Sequence, residues 1–445
     1  MVDKKEIELI KKDIFKSIKI YYNKKFKKKE EFLPGKTRIN YGGRVFDENE
    51  IINLVDSSLE FWLTEGRFTT KFQEELASFI GVEHCIFTTS GSSANLLAIS
   101  TLTSNKIEEA KRLKAGDEII TVAAGFPTTI FPIIQNQAVP VFVDIELETY
   151  NIDVSQLENS LSERTRAVIL AHTLGNPFNV EKVRKFCDNN NLWLIEDNCD
   201  ALGSKYDNKY TGSFGDISTF SFYPAHHITT GEGGALLTNN SLLYRIIRSQ
   251  RDWGRDCWCP TGKDNTCNKR FNWQLGTLPH GYDHKYTYSE FGYNLKITDM
   301  QAAIGLAQIE KLPSFIDARI KNHRKIYERL KDYANLLILP KAQKNSIPSW
   351  FGFLITLKDV CKITRNEIMQ KLEEKQIQTR LLFAGNIIRQ PVFNKMREYN
   401  SGYRVIGELK NTDKVMNDSF WIGVYPGMSG EMINYMIDQI CEILK

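Results

Sequence analysis

The sequence predicts an α/β protein: a large, mostly parallel sheet covered on both faces, followed by a smaller C-terminal unit. Three observations predict it. From about residue 85, short apolar runs alternate with helical patterns. Polar residues cluster just after those runs, where open α/β sheets bind their ligands. The chain has 445 residues, too many for one ordinary core.

The N-terminal element comes first. Residues 1–30 hold eleven Lys against five Asp/Glu, in a chain whose net charge is +4. The remainder is slightly acidic, which argues against a broad nucleic-acid-binding face. Ile7, Ile10, Ile14 and Ile18 fall at helical spacing and predict an amphipathic helix with a solvated Lys face. Binding to a membrane surface or a partner is the competing use of such a helix. The apolar core of a secretory signal is missing, and no run approaches the ~20 apolar residues of a membrane span. A cytoplasmic enzyme without a nucleic-acid partner is the expectation.

The sheet follows. "DEIITVAA" (117–124), "VPVFVDI" (139–145), "RAVILAH" (166–172), "LWLIED" (192–197) and "ISTFSF" (217–222) read as buried strands. "VSQLENSL" and "VEKVRKFCDNN" read as helices between them. Gly125-Phe126-Pro127, His172-Thr173, Glu196-Asp197, and Ser221 with His226 stand where strands end. Their agreement points to one site at the carboxyl edge of the sheet. "TDMQAAIGLAQIEKL" (298–312) is a closing helix, "SWFGFLITL" a strand of the smaller unit, and Thr364-x-x-Glu367 a capping box opening a later helix.

The candidate site residues carry specific chemistry. Gly91-Ser92-Ser93 opens a helix in "TTSGSSANLLAIS", so free N–H groups and hydroxyls there suit an anion, although Ser-rich caps also occur without one. Asp197 ends an apolar strand and needs a cationic partner once buried, either a bound ring nitrogen or a structural ion pair. Phe126 stands at a neighbouring strand end, able to stack on such a ring or to fill core. Eight cysteines in a chain without a secretory signal argue against a disulfide framework. Cys85, Cys187, Cys361 and Cys441 are scattered. Cys257, Cys259 and Cys267 crowd into "RDCWCPTGKDNTCNKRF", and Cys199 lies two residues after Asp197. Four such thiolates suit a [2Fe-2S] cluster or a zinc ion, and spacing alone leaves both open.

"SGSSANLLA", "PVFVDIELETYNID", "EDNCDALGS", "GDISTFSFYPAHHITTGEGGALLT" and "GYNLKITDMQAAIGLAQIEKL" occur in order. Over about residues 35–440 the chain resembles the sugar aminotransferase family that acts on nucleotide-linked keto sugars, a branch of the fold-type I pyridoxal-phosphate enzymes. The resemblance implies an N-terminal helical arm over 1–60, a large cofactor-binding domain over 61–315 with a Cys-bearing insertion, and a small α+β domain over 316–445. It implies that Ser92 and Ser93, with Ser221, hold the cofactor phosphate, that Asp197 pairs with the pyridinium, and that Phe126 covers the ring. The residue matching Asn294 reaches the phosphate from a second subunit in this family, which implies a homodimer.

One position departs from the family. Its Schiff-base lysine falls at His226, and imidazole cannot tether the cofactor. An imidazole titrates near neutrality and moves protons instead. A degenerate enzyme is the bland reading. The resemblance implies the family's dehydratases, which use pyridoxamine 5′-phosphate to remove the C3 hydroxyl of a 4-keto-6-deoxy sugar. His227, one residue past the lysine position, is the weaker base candidate. The CDP-4-keto-6-deoxyglucose 3-dehydratase group is similar in carrying both the histidine and the Cys199/Cys257/Cys259/Cys267 spacing. That resemblance implies a [2Fe-2S] cluster fed by a separate NAD(P)H-dependent flavin iron–sulfur reductase, and a product leading to a 3,6-dideoxyhexose. The rivals are a redox-independent dehydratase with structural zinc and a non-catalytic scaffold on the same fold.

Overall fold

The computed structural model describes residues 4–27 and 31–445; the ends of the Lys-rich segment, with Lys28 and Lys29, lie outside them. β-branched and aromatic runs form the strands, because such side chains pack well on a pleated surface covered from both sides. The large sheet has eight strands. Their order is His84–Thr88, Gly234–Thr238, Ile217–Ser221, Trp193–Asp197, Thr165–Ala171, Glu118–Val122, Val139–Val143 and Arg404–Val405. Gly234–Thr238 runs antiparallel to both its neighbours, and every other pairing in this sheet is parallel. The predicted strands are therefore present, each with trimmed ends.

Helices cover both faces. Gly91–Thr101, Pro127–Gln135 and Val180–Asn189 fill crossovers between strands, and Ser241–Arg251 follows the antiparallel strand. "VSQLENSL" forms only a 3₁₀ turn, Val154–Gln156, and a single helical turn, Leu157–Ser160. The closing helix is Asp299–Ile309, opened by a capping box from Thr298 to Gln301. It packs against Glu48–Glu60 and Arg67–Ile80.

A second, antiparallel sheet runs Leu337–Ile338, Gly352–Leu357, Ser419–Gly423, Thr379–Arg380. Its core includes Ile326, Leu330, Ile368, Leu372, Ile433 and Ile437, contributed by helices Leu312–Leu330, Arg365–Glu374 and Gly430–Leu444. Thr364 and Glu367 form the anticipated capping box. The same C-terminal stretch also lends Arg404–Val405 to the edge of the large sheet.

The N-terminal helix, Lys4–Lys25, forms as its spacing predicts, but none of its residues is buried. It touches the body through Lys11–Asp56 at 2.5 Å and through Tyr22, which donates to the Phe46 carbonyl and packs edge-on against the Phe46 ring. Ile7 and Ile10 stay half-exposed. Among the described residues no helix is long and apolar enough to cross a membrane.

Candidate active site

The carboxyl ends of five strands of the large sheet converge on a cavity of about 420 Å³. Ser90, Gly91, Ser92, Phe126, Ala171, Asp197 and Ser221 line it from the large sheet. The second sheet adds Arg380, Leu381 and Trp421, with Phe351 and Phe383 beside it. Among the described residues no lysine lines it.

One end of the cavity is an anion cup. Ser90 caps helix Gly91–Thr101, its hydroxyl accepting from the Ser93 amide at 3.0 Å. A Cβ on Gly91 would lie 2.6 Å from the Ser221 Cβ and 2.9 Å from the Cys199 Sγ. A Cβ on Gly234 would lie 2.3 Å from the Ser90 carbonyl. These two glycines let the helix start press against the neighbouring strands. The Ser92 and Ser221 hydroxyls face the cavity beside the positive helix end, and Ser92 also donates to Thr128 at 2.9 Å.

The floor is a carboxylate without a cation. Asp197 is 4% exposed. Its Oδ2 accepts from Asn95 Nδ2 at 2.9 Å and Thr129 Oγ1 at 2.6 Å, and its Oδ1 from the Cys199 amide at 3.2 Å. Asn95 is itself held by Thr219, whose hydroxyl donates to it at 2.6 Å. Asp197 forms no ion pair among the described residues, so it stands oriented toward a cation the chain does not supply. Phe126 is 48% exposed, its ring edge-on to Phe383 at 6.1 Å. Cup, carboxylate and open aromatic face together suit a flat, protonated heteroaromatic ring with an anionic tail.

The wall carries the imidazole. His226 sits in the turn after strand Ile217–Ser221, its amide donating to the Tyr223 carbonyl at 2.9 Å and its carbonyl accepting from Arg319 at 3.3 Å. Its Nε2 lies 3.6 Å from Asp200 Oδ1, and its buried Nδ1 has no partner among the described residues. Burial, reinforced by Arg319, lowers its pKa to about 4. Burial and the neighbouring Asp197 raise that of Asp200 to about 8. At neutral pH the imidazole is an unprotonated base and the carboxyl beside it holds a proton. His227 points elsewhere, its ring nitrogen 2.7 Å from the Ser349 carbonyl. His172 is structural, paired with Glu196 at 3.0 Å and stacked on Phe178.

The family model described as the DegT/DnrJ/EryC1/StrS aminotransferase family matches residues 46–441. The chain belongs to this family. It is 54% identical to the lipopolysaccharide biosynthesis protein RfbH of Salmonella typhimurium, over 92% of this chain and 93% of that protein. It is 51% identical to a dTDP-4-dehydro-2,6-dideoxy-D-glucose 3-dehydratase of Saccharopolyspora spinosa, over 93% of this chain and 88% of that enzyme. Among solved structures, E. coli GDP-4-keto-6-deoxy-D-mannose-3-dehydratase with bound hydrated PLP superposes with a TM-score of 0.80 at 28% identity, covering 90% of this chain and 98% of that one. The fold is that of the fold-type I pyridoxal-phosphate members of the family.

The structure brings together Gly91, Ser92, Phe126, Asp197, Ser221 and His226, and Cys199 lines the same cavity. Ser93, expected at the phosphate, does not line the cavity. Its hydroxyl lies 2.8 Å from that of Thr89 and 3.0 Å from that of Ser90, and so belongs to the helix cap. Asn294 lies off the cavity too, in a β-bridge to Asp252. The cysteines separate into three and one. Burial, with Cys259 and Cys267 beside it, raises the Cys257 thiol, while at Cys259 burial is outweighed by hydrogen bonds from Thr266 and Cys257, which lower its thiol. Cys199 answers to Asp197, Asp200 and Thr219, and burial with those carboxylates pushes its thiol well up. Among the described residues, no group of three or more His, Cys, Asp or Glu is arranged to hold a metal ion. Cys199 lines the cavity, while Cys257, Cys259 and Cys267 lie on the 253–293 loop.

Asn95, Thr129, Asp200 and Arg380 escaped the sequence reading. The first two sit inside helices, where a polar side chain reads as packing, and Arg380 arrives from a distant strand. Asp200, three residues after Asp197 in "EDNCDALGS", was the one visible signal.

Proposed function

We propose that the chain is a pyridoxamine-phosphate-dependent 3-dehydratase of a nucleotide-linked 4-keto-6-deoxy sugar. One observation carries the reading: a neutral histidine, His226, stands on the wall of a lysine-free cavity whose floor is an unpaired buried carboxylate, Asp197. Two relatives named as sugar 3-dehydratases, those of Saccharopolyspora spinosa and E. coli, and the PLP bound in the second support it.

Bound there, the cofactor supplies an amine for the sugar ketone and a ring that accepts electrons. Gly91, Ser92 and Ser221 hold its phosphate with backbone and hydroxyl donors. Asp197, fixed by Asn95 and Thr129, keeps the ring nitrogen protonated. Phe126 covers the ring. With no lysine on the wall, the cofactor is held by these contacts alone. His226, unprotonated on the cavity wall, would be the base that takes up the proton released at the ring site when the C3 hydroxyl leaves. Asp200, protonated and 3.6 Å away, positions that imidazole.

The finer reading takes CDP-4-keto-6-deoxy-D-glucose as substrate, en route to a 3,6-dideoxyhexose. It assigns a [2Fe-2S] cluster to Cys199, Cys257, Cys259 and Cys267, supplied by a separate NAD(P)H-dependent flavin iron–sulfur reductase. The cysteine spacing and the resemblance it carries support this. A cluster there needs all four thiolates, since three do not complete the set. A redox-independent dehydratase is the second reading, which accords with there being, among the described residues, no group of three or more His, Cys, Asp or Glu arranged to hold a metal ion. A cytoplasmic homodimer with Asn294 serving the partner's site accords with that residue's place off its own cavity.

The test is anaerobic incubation of the full chain, pyridoxamine phosphate and CDP-, GDP- or dTDP-linked 4-keto-6-deoxy sugars. Cleavage of the C3–O bond in at least one is the expected result. Intact C3–O bonds in all of them overturn the proposal.

A further inference from the structure

Asp197, Glu232 and the protonated Asp200 line the cavity, and among the described lining residues Arg380 alone carries a permanent positive charge. Arg380 makes no ion pair among the described residues. Its one hydrogen bond runs from Nη1 to the Thr379 carbonyl at 2.8 Å, so Nε and Nη2 are uncommitted. Its orientation is nonetheless built. The guanidinium lies 4.1 Å over the Tyr41 ring, and Tyr41 stands edge-on to Trp421 at 5.2 Å. Trp421 is anchored by donating to the Leu381 carbonyl at 3.0 Å, and pairs with Arg380 across two strands of the second sheet. An unpaired, half-buried cation held in place by stacking is arranged to receive an anion.

The cup at Gly91, Ser92 and Ser221 accounts for one phosphate. A nucleotide-linked sugar brings two more, into a cavity otherwise lined with carboxyls. We propose that Arg380 receives the diphosphate of the substrate, and so decides for nucleotide-linked over free sugars. This rests on the nucleotide-sugar reading above. The planar fork of Arg380 presents two donors toward adjacent phosphate oxygens, which a lysine cannot reproduce.

The experiment is calorimetric titration of the pyridoxamine-phosphate-loaded chain with CDP, GDP and dTDP, and with the matching uncharged nucleosides. The native chain is expected to bind at least one diphosphate more tightly than its nucleoside. Arg380→Gln should weaken that diphosphate about 10- to 100-fold, the loss of a charge-assisted contact, and leave the nucleoside unchanged. Arg380→Lys should recover part of the loss. Cofactor affinity should stay native in both variants. Arg380→Gln retaining the native diphosphate preference overturns the assignment while leaving the nucleotide-sugar reading standing. Loss of cofactor binding in both variants overturns it too, making Arg380 structural. A native chain that binds none of the diphosphates overturns the nucleotide-sugar reading, and this inference with it.

Discussion

His226 Nε2 stands 3.6 Å from Asp200 Oδ1, in a cavity where burial leaves the imidazole unprotonated and the carboxyl protonated. The pair is neutral on both sides. That places a base, rather than a second cation, beside the ring site, and makes the pair measurable through its proton uptake.

The His226 pKa is lowered to about 4, against an ordinary value near 6.5. As pH falls, the unfolded chain takes up this proton first, so native stability declines from about pH 6.5 down to pH 4. At pH 5 the loss from this one group is about 2 kcal/mol. His226→Asn removes it. Denaturant unfolding of cofactor-free protein at pH 7.5 and pH 5 should show the native chain losing about 2 kcal/mol more than the variant. Equal losses would mean that the imidazole is not held neutral by burial.

Asp197→Asn keeps the shape and removes the charge. The new amide can still accept from Asn95 and Thr129, but its NH₂ then faces the Cys199 amide, donor against donor. The chain should fold with a modest loss of stability, about 1–3 kcal/mol. C3–O cleavage should fall by two orders of magnitude or more, because the ring nitrogen loses the partner that keeps it protonated. Turnover within a few-fold of native would place that partner elsewhere.

The cysteines separate by position. Cys257→Ser, at a residue that does not line the cavity, should abolish bound iron and inorganic sulfide in anaerobically purified protein, yet leave pyridoxamine phosphate affinity native. Cys199→Ser should disturb both, since its sulfur packs against Gly91 at the start of the helix that lines the cavity. Native protein carrying zinc, or no metal at all, sinks the cluster assignment and favours the redox-independent reading.

Much of the fold was legible because buried parallel strands are short, apolar and regularly spaced. The strand-end residues Phe126, Asp197 and Ser221 were legible for the same reason, since a strand's carboxyl end fixes where its next residue lies. What escaped depends on tertiary approach. Ser93 looked like a phosphate ligand, but one turn of helix turns its hydroxyl back to Thr89 and Ser90. Arg380 and Trp421 reach the cavity from more than 150 residues beyond His226, and no local pattern announces that. The N-terminal stripe of Ile7 and Ile10 gave the helix but not its cover, because periodicity reports an apolar face and not what packs on it.

The central claim is that His226 moves the proton that accompanies C3–O cleavage. Oxygen exchange measures it most directly, and needs neither reductase nor cluster. The loaded chain is incubated without air in ¹⁸O-water with the nucleotide-linked 4-keto-6-deoxy sugar that it cleaves, and recovered substrate is analysed by mass spectrometry for label at C3. The native chain should incorporate label, and His226→Asn should incorporate none while binding pyridoxamine phosphate with native affinity. Label entering C3 at the native rate in His226→Asn would contradict the account.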